Sequence, residues 1–342
     1  DVCSSDLARP SHRDPLTMTD AALDSTHSTE RTADDRPRTA PERSEWPNVH
    51  APDTHVIATD ASQSRSQLFG RIRRNPSLVA GATLLLVIIA AAVLAPLLYP
   101  GDPLSMVARP LLWPGQDLGY PLGTDSLGRD VAAGLMHGAR ISLLIGFVAT
   151  TIGVTIGIAV GAVAGYRGGL VDDILVRIIE LFQTVPSFIL LVVLVAIAQP
   201  SIATVTWAIG LVTWPTIARL VRAEFRVLRE KEFVMAARSL GFSDTRIVIR
   251  EILPNALPAI IVTTSVMVAT AILMEAALSF LGLGDPNVVS WGSMIGSGRE
   301  LIRTAWYLTA LPGLVIVLTV LSLNLIGDGL TDVLNPRLSR ER

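Results

Sequence analysis

The stretch Glu232-Phe-Val-Met-Ala-Ala-Arg-Ser-Leu-Gly-Phe-Ser-Asp-Thr-Arg-Ile-Val-Ile-Arg-Glu-Ile-Leu-Pro-Asn255 is a charged segment between two long apolar runs of the sequence. Its pattern predicts a short helix, a break at Gly241, and a second short helix that ends where Pro254 opens the next apolar run. Residues 232–254 are called the insertion below. Because the flanking runs are long enough to cross a membrane, the insertion is a polar helix-turn-helix that a membrane protein displays to water. Such a surface is available to a soluble partner.

The two helices of the insertion differ in pattern. On the first, apolar or small residues recur at three- and four-residue intervals and predict a narrow apolar face, made of Phe233, Ala236, Ala237 and Leu240. Ser243 or Asp244 can cap the second helix, whose apolar positions are Ile247, Ile249 and Ile252. A unit of this kind fits helix-in-groove docking on a partner. A solvated loop without a partner is the alternative, and the two caps and the alternating charge disfavour it.

The apolar runs predict an all-α polytopic membrane protein with six transmembrane helices. Hydrophobic residues make up 50% of the chain and charged residues only 17%. A run of roughly 20 apolar residues crosses the hydrocarbon core as a helix, and the candidate spans are residues 78–99, 141–165, 176–198, 202–221, 256–280 and 307–326. Prolines inside four of them, Pro186, Pro215, Pro258 and Pro312, predict kinks.

Arginine placement predicts the orientation. Arginines precede the first span, lie between the second and third, crowd the insertion and close the chain, whereas fewer lie in the longer opposite loops. The positive-inside rule therefore predicts that both termini and the insertion are cytoplasmic.

Glycines in the second span predict close helix packing. They recur every fourth residue on one face, where another helix can approach backbone to backbone, and they are Gly153, Gly157, Gly161 and Gly165. Tight packing is the simpler interpretation, and a sliding surface between two transport states is compatible with it.

Several classes of site are excluded. Lys231 is the only lysine and Glu230 precedes it, so a phosphate-binding P-loop is impossible in this chain. Cys3 is the only cysteine, so we expect neither an intrachain disulfide nor a cysteine-rich metal site. The sequence motifs predict no catalytic residue and no metal site. The ionisable or polar residues within spans lie near the span ends, which disfavours a proton- or sodium-coupled carrier; they are Glu180, Glu275, Asn324 and Asp328.

The insertion resembles the EAA loop of permeases from ABC importers. Matching positions are Ala236, Ala237, Gly241, Leu253 and Pro254, while Met235 stands in the glutamate slot and Glu251 in the isoleucine slot. The fuller string from Glu232 to Asn255 resembles the dipeptide/oligopeptide/nickel branch of that family.

Further stretches resemble the C-type subunit of these permeases. They are residues 121–130 with 138–143, residues 275–284 with 290–292, and residues 324–330 with 332–337. Asp285-Pro-Asn-Val-Val departs from the family pattern. The likeness covers about residues 67–337.

The resemblance implies a type I ABC importer permease, a transport subunit and not an enzyme. It implies a second homologous permease subunit, two ABC ATPase subunits and an extracytoplasmic solute-binding protein as partners, with no nucleic acid. It also implies that the chain lies in the lipid bilayer of a bacterial or archaeal plasma membrane. ATP and magnesium would be held by the ATPase subunits, and this chain would hold no cofactor. The cargo would be di- or oligopeptides, with nickel or a chelated metal as the alternative. A secondary carrier or channel is the alternative of another class.

The resemblance also implies roles for individual residues. Those expected to couple to the ATPase are Glu232, Phe233, Ala236, Ala237, Leu240, Gly241, Ser243, Leu253 and Pro254, with Gly241 as the pivot. The sequence assigns no substrate-lining residue.

The predicted organisation has four parts. Residues 1–66 are a polar tail, expected to be disordered and cytoplasmic, and residues 1–17 are suspected to be non-native because Met18 opens a plausible translation start. Residues 67–105 carry the first span, residues 106–140 form an extracytoplasmic loop, and residues 141–337 form the permease transmembrane domain. Within the loop Leu127, Val131 and Leu135 share a helical face, so this piece is expected to lie flat at the outer interface, either packed on the membrane or as a gate or docking surface for the solute-binding protein.

Overall fold

The computed structural model describes residues 75–334, and within that range the chain is helical and has no β-strand. The predicted all-α class is confirmed. The predictions for residues 1–66 lie outside the described residues. The helices are α1 (Pro76–Leu98), α2 (Val131–Arg167), α3 (Gly169–Thr184), α4 (Ser187–Ala198), α5 (Ile202–Leu228), α6 (Glu232–Ser239), α7 (Asp244–Arg246), a π-helical turn (Ile247–Ile252), α8 (Leu253–Phe280), α9 (Trp291–Gly298), a 3-10 turn (Arg299–Leu301) and α10 (Tyr307–Leu334).

Five segments of this described part are long and apolar enough to cross a membrane. They are α1, α2, α5, α7 continued into α8, and α10, and α3 with α4 gives a sixth if this bent pair is one span. The bend of that pair is 80°, at the position where Pro186 predicts a kink. Because proline disfavours the helical conformation of the residue before it, Val185 is extended, with φ −89° and ψ 131°. The segment predicted as the third span is therefore two helices and not one kinked helix.

The second span begins earlier than predicted. Helix α2 starts at Val131, ten positions before the predicted residue 141, because the Asp130 side chain accepts a hydrogen bond from the backbone N–H of Ala132 at 2.8 Å. Val131 and Leu135 are buried in the main core, and Leu127 is exposed before the helix begins. The expectation that these three residues lie flat at an interface is wrong, since two of them belong to the first turns of a packed helix.

The predicted glycine face is where α2 meets α5. A side chain on Gly157 would place its Cβ 2.6 Å from the Cβ of Ile217, and one on Gly161 would lie 2.8 Å from the Cβ of Val221. Gly153 and Gly165 face α5 in the same way. The two helices thus touch backbone to backbone over more than three turns.

Loops and short helices cover the end of the bundle opposite to the insertion. This end, formed by residues 99–130 and 281–306, is called the loop end, and the other the insertion end. The Tyr307 hydroxyl lies 2.9 Å from the carbonyl oxygens of both Leu112 and Thr124, which ties the loop before α2 to α10. Trp291 of α9 is fully buried and donates its indole N–H to the carbonyl of Leu135 at 3.0 Å.

Asp285 attaches the loop after α8 to the start of α5. Its carboxylate accepts the backbone N–H of Asn287 at 2.9 Å and that of Ile202 at 3.2 Å. These donors, first that of Asn287, hold the pKa of the Asp285 carboxyl below its ordinary value, because they stabilise the charged form. The loop that departs from the family pattern therefore has a defined structural role.

A buried carboxylate joins α2 and α8 near the loop end. Glu275 is 1% exposed and accepts hydrogen bonds from the hydroxyls of Ser142 at 3.1 Å and Ser279 at 2.8 Å. The Ser142 hydroxyl oxygen in turn accepts the backbone N–H of Trp291 at 3.3 Å. The sequence placed Glu275 correctly near a span end, but its partners are hydroxyls of the same chain.

We expect Gly157→Ala to destabilise the fold by about 1–3 kcal/mol, because the added methyl overpacks the contact of α2 with α5. The measurement is thermal unfolding of the detergent-solubilised protein. Gly313→Ala is the matched control: Gly313 also lies inside a helix, but a Cβ there meets nothing within 4 Å. Equal melting temperatures for the two variants would contradict the packing described.

We expect Glu275→Leu to lower the free energy of unfolding by about 1–3 kcal/mol, since it leaves the buried hydroxyl of Ser142 without its acceptor. Glu275→Gln keeps an oxygen acceptor and is expected to cost less. Urea or thermal unfolding of both variants in the same detergent provides the comparison. A leucine variant as stable as the wild type would show that this network contributes nothing.

Candidate functional site

The first helix of the insertion has one buried and one exposed side. Val234 and Ala237 are buried in a core cluster that also contains Phe225 and Ile247. The water-facing side carries Phe233, Ala236 and Leu240, the last 72% exposed. The sequence grouped Ala237 with this exposed face. The structure corrects that assignment, because Ala237 lies one position further round the helix and packs inward with Val234.

The break between the two helices is a Schellman turn. Gly241 has φ +76°, its N–H donates to the carbonyl of Arg238 at 2.9 Å, and the N–H of Phe242 donates to that of Ala237 at 3.1 Å. Glycine adopts this left-handed conformation without steric cost. The structure thus places Gly241 where the helix break was predicted, and a Cβ there would meet nothing within 4 Å.

The second helix of the insertion differs from its prediction in two respects. Ser243 occupies the cap position, but no side-chain capping bond forms there, and Asp244 instead accepts the hydroxyl of Tyr166 at 2.6 Å. The helix also does not end at Pro254. It passes through the π-helical turn Ile247–Ile252 directly into α8, whose second residue is Pro254.

The remaining predicted coupling residues occupy different environments. Glu232 lies in the exposed first turn of α6, and Ser243 is exposed at the turn. Leu253 is half-buried at the start of α8 and Pro254 beside it is exposed. The structure therefore brings together a compact exposed surface, made of Glu232, Phe233, Ala236, Leu240, Gly241 and Ser243, which we call the docking surface.

Arginine side chains at the insertion end connect the insertion and the neighbouring helices. The Arg229 guanidinium donates to the carbonyl of Gly165 at 3.1 Å, and the Arg246 guanidinium carbon lies 3.7 Å from the ring centroid of Phe242. Asp172 of α3 forms an ion pair with Arg222 of α5 through two nitrogen–oxygen contacts. Positive charges at this end are thus partly engaged in fixing the helices to one another.

Sequence reasoning missed two residues of this region. Val234 falls between the positions of the predicted apolar face, although its spacing of three from Ala237 was a usable signal. Tyr166 is separated from Asp244 by 78 positions, so no local pattern links the two residues.

The other polar residues predicted within spans are exposed in this chain. Glu180 of α3 and Asn324 and Asp328 of α10 all face outward. Only Glu275 among the four is enclosed. The three exposed side chains are accessible to solvent or to another chain.

A cavity at the loop end contains charges of both signs. It measures about 410 Å³ and lies between the loop after α1, helix α2 and the loop before α9, with Asp102, His137, Arg140 and Asn287 among its lining residues. The sequence had assigned no residue to a solute site. This lining offers partners to both ends of a zwitterion.

Two known families of membrane transport proteins match parts of this chain. Residues 153–340 match the family described as binding-protein-dependent transport system inner membrane component, and residues 64–117 match the N-terminal transmembrane domain of oligopeptide transport permease C. Among curated relatives, the di/tripeptide transport system permease protein of Pseudomonas aeruginosa is 38% identical over 297 residues, which cover 85% of this chain and 97% of that protein. The dipeptide transport system permease protein of Alkalihalophilus pseudofirmus is 36% identical over 293 residues, 85% of this chain and 95% of that one.

Among solved structures, an inward-facing methionine ABC transporter chain is similar to this chain. The identity is 21% and the TM-score 0.49, with 61% of this chain and 95% of that chain covered.

We expect Ala237→Leu to destabilise the protein by about 1–3 kcal/mol, because it overfills the core beneath α6. Ala236→Leu, the neighbouring exposed alanine, is expected to leave stability within about 0.5 kcal/mol of the wild type. Thermal unfolding of both variants tests which side of α6 faces the protein. The opposite order of stabilities would reverse the assignment of the two faces.

Proposed function

This chain belongs to the family of binding-protein-dependent transport system inner membrane components, and from that premise we propose that it is the permease subunit of an ATP-driven importer of di- or oligopeptides. The observation that carries the proposal is the docking surface. Its residues are exposed, while the opposite side of α6 packs into the core. A soluble partner can therefore push on this surface without unfolding the helix.

The partner of the docking surface is proposed to be an ABC ATPase. The chain has one lysine, Lys231, and no P-loop, so nucleotide energy must reach it from another polypeptide. Leu240 and Phe233 supply apolar area and Ala236 supplies a flat patch between them, which is the composition of a helix that enters a groove. ATP and magnesium are then held by two ATPase subunits.

The assembly includes two further partners. A second homologous permease completes the pathway across the bilayer, and an extracytoplasmic solute-binding protein delivers the peptide at the loop end. The arginine distribution supports an orientation in which the insertion and both termini are cytoplasmic, in the plasma membrane of the cell.

Peptides are favoured over nickel as the cargo. The Pseudomonas and Alkalihalophilus relatives are named for di- and tripeptides and for dipeptides, and they align over most of their length. Membership of this family also disfavours the alternative of a secondary carrier or channel. The cavity at the loop end, with Asp102 and Arg140 in its lining, is compatible with a zwitterionic solute.

The decisive experiment alters the turn of the docking surface. Gly241→Trp is expected to abolish ATP-dependent uptake of a labelled dipeptide while the protein remains in the membrane. The indole would occupy the open space beside Gly241 on the docking surface, and it would strain a backbone with φ +76°. The control is Gly169→Trp, which has φ +55° and equally open space but lies outside the insertion. Normal uptake by the Gly241 variant would refute the coupling role.

Crosslinking identifies the partner directly. In a Cys3→Ser background, cysteines at Ser239 and Ser243 are expected to crosslink to the co-expressed ATPase, since both side chains are exposed on or beside the turn. Uptake of radioactive nickel by the wild-type complex, with no uptake of dipeptide, would overturn the assigned cargo but not the ATPase contact.

A further inference from the structure

The C-terminal end of α2 is held by both helices of the insertion through one residue. The Tyr166 hydroxyl donates a 2.6 Å hydrogen bond to the carboxylate of Asp244 on α7. The Arg238 guanidinium carbon of α6 lies 5.4 Å from the centroid of the Tyr166 ring. The ring itself packs against the core cluster beneath the insertion.

The bond to Asp244 attaches the first residue of α7 to a distant helix. Ser243 is the N-cap residue of α7 and makes no side-chain capping bond. The carboxylate of Asp244, the next residue, accepts a short, charge-assisted bond from a residue 78 positions away. The insertion thereby gains an attachment to α2.

Helix α2 extends from this attachment to the other end of the molecule. It contains 37 residues, and at 1.5 Å per residue it is about 55 Å long. Near the loop end it receives the Trp291 indole at Leu135 and meets the carboxylate of Glu275 through Ser142. A displacement that enters α2 at Tyr166 therefore reaches the buried network of the loop end through a single helix.

We propose that Tyr166 is a positioning residue that fixes the insertion to α2, so that the insertion and α2 move together when a partner displaces the docking surface. The proposal rests on the function proposed above. A second connection runs from α7 through the π-helical turn into α8. Without the Tyr166 contact, a displacement of the insertion therefore still moves α8 but moves α2 less.

The test measures dipeptide uptake and ATP hydrolysis by the complete transporter in proteoliposomes. Tyr166→Phe keeps the ring, its packing and its contact with Arg238, and removes only the hydroxyl. We expect the number of peptides transported per ATP hydrolysed to fall about tenfold, the ratio that corresponds to the loss of one hydrogen bond to a charged group. Hydrolysis itself is expected to persist, because the docking surface is unchanged.

Two sets of variants separate this role from simple stabilisation. Tyr120→Phe removes a hydroxyl that donates to the carbonyl of Val107 at 3.1 Å at the loop end, and its transport-to-hydrolysis ratio is expected to match the wild type. Asp244→Asn keeps an oxygen acceptor and is expected to retain most of the ratio, whereas Asp244→Ala is expected to resemble Tyr166→Phe. The double variant Tyr166→Phe/Asp244→Ala is expected to be no worse than either single one, because both remove the same bond.

The outcomes distinguish the two proposals. A wild-type complex without ATP-dependent dipeptide uptake contradicts the proposed function. A wild-type complex that transports normally, with an unchanged ratio in Tyr166→Phe, overturns the role of Tyr166. A double variant whose loss is the product of the two single losses would also overturn it, because the two side chains would then act independently. Uptake and hydrolysis that fall in equal proportion would overturn it as well, because such a result indicates a merely structural effect.

Discussion

The contact of α2 with α5 leaves no room for side chains on the α2 glycines, and the position of the insertion depends on it. The four glycines of α2 face carbonyl oxygens spaced by four along α5, those of Gly210, Trp214, Ala218 and Arg222. The two helices run in the same direction and in a fixed register. That register brings the end of α5 beside the end of α2, so Arg229 reaches the last carbonyls of α2 and the insertion begins next to Tyr166.

Local signals predicted the helix-break-helix of the insertion because glycine at a left-handed turn acts through its own backbone. The early start of α2 was missed although Asp130 is an ordinary cap, since the apolar run on which spans were judged begins later than the helix. Pro186 predicted a disruption but not an angle of 80°, which depends on how α3 and α4 pack on their neighbours. The spacing of apolar residues predicts that a helical face exists, and tertiary packing decides what that face contacts.

The faces of α6 illustrate that limit in a single turn. Ala236 and Ala237 are adjacent and chemically identical, yet one is exposed and the other buried. Only the core beneath α6, with Val234, Phe225 and Ile247, distinguishes them. In the same way, the sequence located Glu275 near a span end but could not reveal Ser142, which is 133 positions away. Sequence reasoning found many of the residues that make long-range contacts, but not the distant residues that they contact.

The π-helical turn Ile247–Ile252 sets the angular phase between the insertion and α8. A π turn takes up more residues than an α turn, so the segment before it is rotated relative to an uninterrupted α-helix. Removing one residue there would rotate α7 by about 100° around the helix axis, the angle of one residue at 3.6 per turn. Asp244 would then point away from Tyr166 with every side chain still present. The length of this turn, and not only its composition, is therefore under constraint.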